Sequence, residues 1–198
     1  MSIGIISVQG DFLEHTQLLN EIPGVSAISI KSSGDLSKVD ALIIPGGEST
    51  TIGGLLRLKR LDLDIKKFAE SGRPLMGICA GSVLMAKKVI DRVVGEVDQP
   101  ILNLMNIKVL RNAFGRQRES FQAEIFVEGI GDVKAVFIRG PAILEVWGNA
   151  KLIGFVDHPK IGRVGTVAIE RNMIAIAFHP ELVGDTRFYK YLITEARR

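Results

Sequence analysis

The chain's only cysteine, Cys79, stands in the frame Gly77-Ile78-Cys79-Ala80-Gly81, directly after the apolar run Leu75-Met76. Taken alone, one cysteine reads as a small buried core residue. The frame changes that reading. A short strand that runs into Gly-x-Cys-x-Gly and then into a helical pattern (Ser82 to Lys88) describes a nucleophile elbow. Its glycines permit a tight strand-to-helix turn that presents the side chain at the sheet's carboxyl edge. The positive end of the following helix favours negative charge at the sulfur.

A base is available in Phe178-His179-Pro180-Glu181, after the apolar stretch Met173 to Phe178. Proline disfavours helix in the residue before it, which predicts an extended His179. Residues i and i+2 of an extended stretch face one side, so Glu181 is expected to orient the His179 ring. Thiol, imidazole and carboxylate then form a nucleophile–base–orienter set. The step His158-Pro159-Lys160 repeats the His-Pro pair without an acid two residues on, and His158 reads as a loop residue. His15, in Leu13-Glu14-His15, reads as a surface or packing residue. A third stretch, Leu42-Ile43-Ile44-Pro45-Gly46-Gly47-Glu48-Ser49-Thr50-Thr51, is an apolar strand ending in a proline and two glycines. Such a turn can aim backbone N–H groups of Gly46 and Gly47 at an oxyanion, with the Ala80 N–H as the second donor. It can equally be an ordinary strand-to-helix turn capped by Ser49 or Thr50. No Lys-Ser/Thr follows at phosphate-loop spacing.

These groups need strands to end beside one another. Strands are expected over Ile3 to Val8, Val25 to Ile30, Ala41 to Ile44 and Leu75 to Ile78. Helical patterns fall between and after them, over Phe12 to Asn20, Thr51 to Leu58, Leu63 to Ser71 and Ser82 to Lys88. The alternation predicts a mostly parallel central sheet with helices on both faces, its functional loops at the strands' carboxyl ends. The later half reads as short antiparallel hairpin strands: Ile107 to Leu110, Phe121 to Val127, Val133 to Ile138, Ile143 to Trp147, Leu152 to Val156 and Val164 to Ile169. A last helix is expected over Thr186 to Ala196. Ile90 to Asn103 and Asn112 to Ser120 read as polar, irregular segments beside the site.

Composition narrows the function classes. With 198 residues, 46% of them hydrophobic and 24% charged, the chain can build a full core, and one domain spanning residues 1–198 is expected. A single cysteine excludes an intramolecular disulfide framework and fits a reducing cytoplasm. The start Met1-Ser2-Ile3-Gly4 reads as a strand and not as a secretion signal, and no apolar run approaches the ~20 residues that span a bilayer. The net charge of +3 and the isoelectric point near 9.1 come from interspersed acids and bases, which gives no nucleic-acid footprint. One cysteine and three scattered histidines form no local metal-ligand spacing, so no metal or cofactor is expected.

Pro45-Gly46-Gly47-Glu48-Ser49, Gly77-Ile78-Cys79-Ala80-Gly81 and His179-Pro180-Glu181 together resemble the triad-type (class I) glutamine amidotransferases. Val8-Gln9-Gly10-Asp11, Gly46 to Thr51, Arg111-Asn112-Ala113-Phe114-Gly115-Arg116-Gln117, Phe137-Ile138-Arg139-Gly140-Pro141 and Phe178 to Leu182 resemble, more narrowly, the glutaminase subunits of pyridoxal 5′-phosphate synthases. The resemblance spans nearly the whole chain. It implies a flavodoxin-like sheet and hydrolysis of L-glutamine to L-glutamate and ammonia. It also implies delivery of that ammonia to a synthase subunit within a large hetero-oligomer.

Carried over residue by residue, Cys79 is the nucleophile and His179 and Glu181 complete the triad. Gly47, Glu48, Ser49, Arg111, Ile138 and Arg139 contact the glutamine. Guanidinium groups suit its α-carboxylate. Two departures stand out. Gly140 replaces the family's usual alanine and is expected to loosen that turn, and Ile78 is bulkier than its usual counterpart. A γ-glutamyl thiol hydrolase, an amidotransferase serving another acceptor and a non-enzymatic binding subunit are the competing readings. The Arg111 to Gln117 loop favours the first reading, and the intact Cys79, His179 and Glu181 oppose the last.

Overall fold

A computed structural model describes residues 1–115 and 119–198. Along the chain the elements run β1 (Ser2–Ile6), α1 (Phe12–Asn20), β2 (Ser26–Ile30), α2 (Ser33–Leu36), β3 (Ala41–Ile44), α3 (Ser49–Leu58), α4 (Leu61–Glu70), β4 (Leu75–Ile78) and α5 (Ala80–Met85). Then follow β5 (Ala86–Asp91), β6 (Gly95–Glu96), β7 (Met105–Arg111), β8 (Phe121–Val127), β9 (Gly131–Phe137), β10 (Ala142–Val146), β11 (Lys151–His158), β12 (Gly162–Glu170) and β13 (Met173–Ile176). A 3-10 turn (Glu181–Val183) and α6 (Arg187–Glu195) finish the order.

The strands β3, β4 and β13 are buried along their whole length, as continuous apolar runs in a doubly covered sheet must be. Alternation sorts their side chains. Ile3, Ile5, Ile43, Met76, Ile78 and Ile176 face one layer with Leu18, Leu19 of α1 and Phe188, Leu192 of α6. Ile6, Leu42, Ile44 and Leu75 face the other, against Ile52, Leu56 of α3, Ile65, Phe68 of α4 and Leu84 of α5. Each such side chain contributes about 1.5–3 kcal/mol by burial. Helices therefore cover both faces of the sheet.

The sheet order is β2-β1-β3-β4-β13-β12-β10-β7-β5-β6. The first five strands pair parallel, and β12, β10 and β7 continue antiparallel. A second layer of hairpins leaves the path through β11, which pairs β12 and β8, while β8 pairs β9. The expected class of fold is thus present, with three differences. The helix expected to reach Lys88 stops at Met85, and Ala86 turns to an extended backbone and pairs with Met105. Strand pairing with β7 there overrides the helix preference of Ala86-Lys87-Lys88. The same pairing makes Ile90-Asp91 part of a strand, and Gly95–Glu96 pairs with it, so the segment from Ile90 is less irregular than expected. α2 was not expected at all.

The register that matters is the parallel pairing of β4 with β13, in which Ile78 lies beside Ile176. It brings the ends of the Cys79 and His179 strands together.

Candidate active site

Cys79 follows β4 directly and caps α5. Its backbone holds φ +49° and ψ −103°, a conformation that costs a non-glycine residue roughly 1–3 kcal/mol and persists only when its surroundings impose it. They do so here. The Cys79 N–H donates to the Ile176 carbonyl at 2.7 Å, and its carbonyl accepts Ser82 Oγ–H at 2.7 Å. The elbow's glycines are needed for contact: a Cβ on Gly77 would lie 2.7 Å from the Gly81 backbone, and one on Gly81 would lie 2.2 Å from the Ile44 carbonyl oxygen. Cys79 is 8% exposed, with its accessible part in a cavity.

His179 is tied to β9 by its N–H, which donates to the Val136 carbonyl at 2.9 Å. Its Nδ1 hydrogen-bonds Glu181 Oε1, and Asp11 Oδ2 approaches the same nitrogen at 3.2 Å. Glu181 reaches it by a different route from the one expected. Pro180 adopts helical angles (φ −67°, ψ −27°) and Glu181 opens the 3-10 turn, so a turn and not an extended i, i+2 pair brings the carboxylate to the ring. Burial opposes charge on His179, but its interactions with Asp11, Cys79 and Glu181 outweigh it and push its pKa up to about 12. The ring is therefore an imidazolium at neutral pH. With Nδ1 between two carboxylates, Nε2 is the nitrogen left to serve the thiol.

The cavity between these groups has a volume of about 300 Å³. It is lined by Gly47, Glu48, Ser49, Cys79, Ala80, His179, Arg111, Ile138 and Arg139, with Arg111 beside Glu48. Gly46 and Glu181 lie behind this lining. A Cβ on Gly46 would meet His179 Cε1 at 2.6 Å, so that position sets how closely the turn approaches the ring. The Glu48 N–H donates to Gln9 Oε1 at 3.0 Å. Arg111 is held by Gln99 Oε1 at 2.5 Å and Glu48 Oε1 at 3.3 Å, and it ends β7. Arg139 is exposed at φ +47°, and among the described residues it has no acidic partner. Its Nη2 donates to Asn112 Oδ1 at 3.5 Å. Gly140 does not loosen this turn, since its carbonyl accepts the Ala113 N–H at 3.1 Å and a Cβ there would press on Phe114 and Phe137 at 3.3 Å.

Of the two other histidines, His158 departs from expectation and His15 is a packing residue, one of the two places expected for it. His158 ends β11 instead of sitting in a loop, and its ring packs on Phe114 and Phe121 with centroids 5.2 Å apart in each case. His15 is fully buried, with no surface exposure. Sequence reasoning gave no role to Asp11, Val83, Asn112, Pro141 or Leu182, which also line the cavity. Asp11, Asn112, Pro141 and Leu182 belong to motifs already singled out, which was the available signal. Asp11, His179 and Glu181 bring donor atoms within 4.8 Å of one another, a set that could hold a cation and that local spacing could not reveal. Its nitrogen is committed to the two carboxylates. Arg116 and Gln117, the end of the loop used to separate the competing readings, lie outside the described residues.

The model of the SNO glutamine amidotransferase family matches residues 5–198. The pyridoxal 5′-phosphate synthase subunit PdxT of Hyperthermus butylicus is 50% identical over 195 residues, covering 98% of this chain and 96% of that one. PdxT of Aeropyrum pernix is 42% identical over 204 residues and the full length of both. A crystal structure of a glutamine amidotransferase superposes with a TM-score of 0.87 at 36% identity, covering 99% of each chain. PurLQS from Thermotoga maritima, at 14% identity and a TM-score of 0.64, shares the fold. The chain belongs to the SNO glutamine amidotransferase family.

Proposed function

We propose that this chain is the glutaminase subunit of a pyridoxal 5′-phosphate synthase, acting through Cys79, His179 and Glu181 in a single domain spanning residues 1–198. The observation that carries the reading is the placement of a strained thiol and a carboxylate-bound imidazole at the ends of adjacent hydrogen-bonded strands, facing one cavity. The full-length relatives are named pyridoxal 5′-phosphate synthase subunits, which supports a synthase subunit as the acceptor; the proposal puts the two in a hetero-oligomer in the cytoplasm.

The cycle follows from the groups present. Cys79 and His179 act as a thiolate–imidazolium pair. The thiolate attacks the side-chain amide carbon of L-glutamine, and the oxyanion lies against backbone N–H groups of Gly47 and Ala80, with Gly46 fixing the turn. Losing one such donor typically costs about 3–4 kcal/mol of transition-state stabilisation. His179 protonates the leaving ammonia, and Glu181 keeps the ring in the orientation this requires. Water then hydrolyses the γ-glutamyl thioester. Arg139, which has no acidic partner among the described residues, takes the substrate α-carboxylate, with Arg111 lining the same cavity. Glu48 or a backbone carbonyl takes the α-ammonium at the same end, Ser49 lies beside it, and Ile138 packs on the chain. Gln9 ties the Gly47-Glu48 turn, and docking of the synthase is expected to set that turn for turnover.

A glutamine analogue with an electrophile at the side-chain carbonyl tests the reading. It is expected to label Cys79 in the complex with the synthase subunit, and excess L-glutamine to prevent it. Labelling that glutamine does not compete with, or none at all in the complex, overturns the assignment.

A further inference from the structure

His179 has two carboxylates on one nitrogen, and the nucleophile–base–orienter scheme uses only Glu181. Asp11 is the other. It occupies the capping position of α1, where an aspartate ordinarily accepts a backbone N–H of the first helical turn. Here it makes no such bond. Its carboxylate turns inward between two imidazoles, with Oδ2 3.2 Å from His179 Nδ1 and Oδ1 3.4 Å from His15 Nε2. Both approaches are ion-pair contacts, and the hydrogen bond of His179 Nδ1 goes to Glu181. On the far side of His15, Nδ1 lies 2.6 Å from the Tyr189 hydroxyl. His15 and Tyr189 are both 0% exposed. With Tyr189 donating to Nδ1, the other ring nitrogen, Nε2, is left facing Asp11 as an N–H.

The geometry points to Asp11 as a second positioning residue for His179, held in place by the buried pair His15 and Tyr189. The inference rests on the glutaminase reading of the Cys79–His179 site. Glu181 and Asp11 grip the ring from two elements, the 3-10 turn and the start of α1, and fix its plane where one carboxylate would leave it a hinge. The chain from Tyr189 also links the terminal helix α6 to the catalytic ring.

The electrostatics agree. Burial works against charge on Asp11, yet its contacts with His15 and His179 hold its carboxyl well below the usual carboxylate range. Burial foremost, with the charges of Glu181, Asp11 and Asp185, pushes the Tyr189 hydroxyl up, which keeps it a donor. The charged groups facing His179 are Asp11 from the β1–α1 loop, Glu181 from the turn and Cys79 from the elbow. Glu48, Arg111 and Arg139 face the same cavity from its walls.

The test reads the ring directly. The full chain carries three histidines, so nitrogen-15 histidine labelling gives three imidazoles, and a His158→Gln sample assigns one of them. In the unsubstituted chain the His179 ring is expected to stay doubly protonated well into the alkaline range. In Asp11→Asn its titration is expected to move downward by about 1–3 pH units, as loss of a neighbouring opposite charge does. In Tyr189→Phe it moves the same way by less. In the synthase complex, Asp11→Asn is expected to lower kcat roughly 10- to 100-fold, less than loss of Glu181 does, because Glu181 still holds the ring. KM should change little, and the alkaline limb of the rate profile should fall with the titration.

A His179 titration unmoved by either substitution overturns the inference and leaves Asp11 a structural residue. If Asp11→Asn does not fold, Tyr189→Phe, which removes a single oxygen, decides alone. If the unsubstituted complex hydrolyses no glutamine, the functional reading fails, and the titration still reports whether Asp11 and His179 are coupled.

Discussion

In the proposed site, the parallel half of the sheet supplies the reacting groups of the cavity and the antiparallel half the groups for substrate binding. β1, β3, β4 and β13 end in Asp11, the Gly46-Gly47 turn, Cys79 and His179. Those groups are locked by main-chain bonds such as Cys79 N–H to Ile176 and His179 N–H to Val136. The strands behind them are fully buried. β7 and the segment after β9 supply Arg111, Ile138 and Arg139, and there the side chains are exposed or half-buried. Asn112 and Arg139 hold left-handed backbones, at φ +53° and +47°. The difference teaches where each kind of residue can sit. Proton transfer and nucleophilic attack need fixed geometry and exclusion of water, which a buried strand end provides. Recognition of a charged, hydrated substrate needs groups at the rim, where a guanidinium keeps its hydration until the ligand arrives.

Substitutions should break this comparison unequally. Cys79→Ala is expected to remove glutamine hydrolysis by at least ~10³–10⁴-fold while leaving synthase binding intact, measured as glutamate release and co-elution with the synthase subunit. Glu181→Gln should lower kcat by about 10²–10⁴-fold at nearly constant KM, because the ring keeps a neighbour of the same shape and loses its charge. On the rim the balance reverses. Arg139→Ala should raise KM for glutamine roughly 10- to 100-fold, the value of a charge-assisted hydrogen bond, with a smaller effect on kcat. His158→Ala, in the antiparallel half, should leave turnover nearly unchanged and cost about 1 kcal/mol of stability by loss of its contacts with Phe114 and Phe121. A large loss of kcat in His158→Ala would mean that the other His-Pro step supplies the base.

The comparison also has a pH signature. The His179 pKa is raised from 6.5 to about 12, so its charge stabilises the folded chain fully below pH 6.5, and that contribution is lost as pH rises through about 12. The difference in melting temperature between the unsubstituted chain and His179→Gln should therefore shrink on going from neutral to alkaline pH. A difference that stays constant would remove the case for a buried imidazolium.

The two halves were unequally legible in the sequence. Ala41–Ile44 and Leu75–Ile78 were read with their observed limits, because a strand buried on both faces must be a continuous apolar run. Phe12–Asn20 was equally plain, with Pro23-Gly24 shortly after its end. β5 was missed because Ala86-Lys87-Lys88 prefers helix and only its pairing with β7, far along the chain, makes it a strand. Ser32 and Asp35, which bracket the start of α2 with reciprocal hydrogen bonds, were a readable signal that went unused. The meeting of Cys79, His179 and Glu181 was legible because glycine and proline constrain the backbone around them. Asp11 was not, because its partners His15, His179 and Tyr189 are assembled by the fold: the Tyr189 hydroxyl that meets His15 lies 174 residues away in the chain.

The central claim is that the thiol and imidazole at the ends of β4 and β13 hydrolyse glutamine for a synthase partner. Glutamate release from L-glutamine, measured with and without the synthase subunit, tests it most directly. The account predicts release that appears or rises steeply on adding the synthase and disappears in Cys79→Ala. Release by Cys79→Ala at the unsubstituted rate, or none from the unsubstituted chain in a complex shown to form, would contradict it.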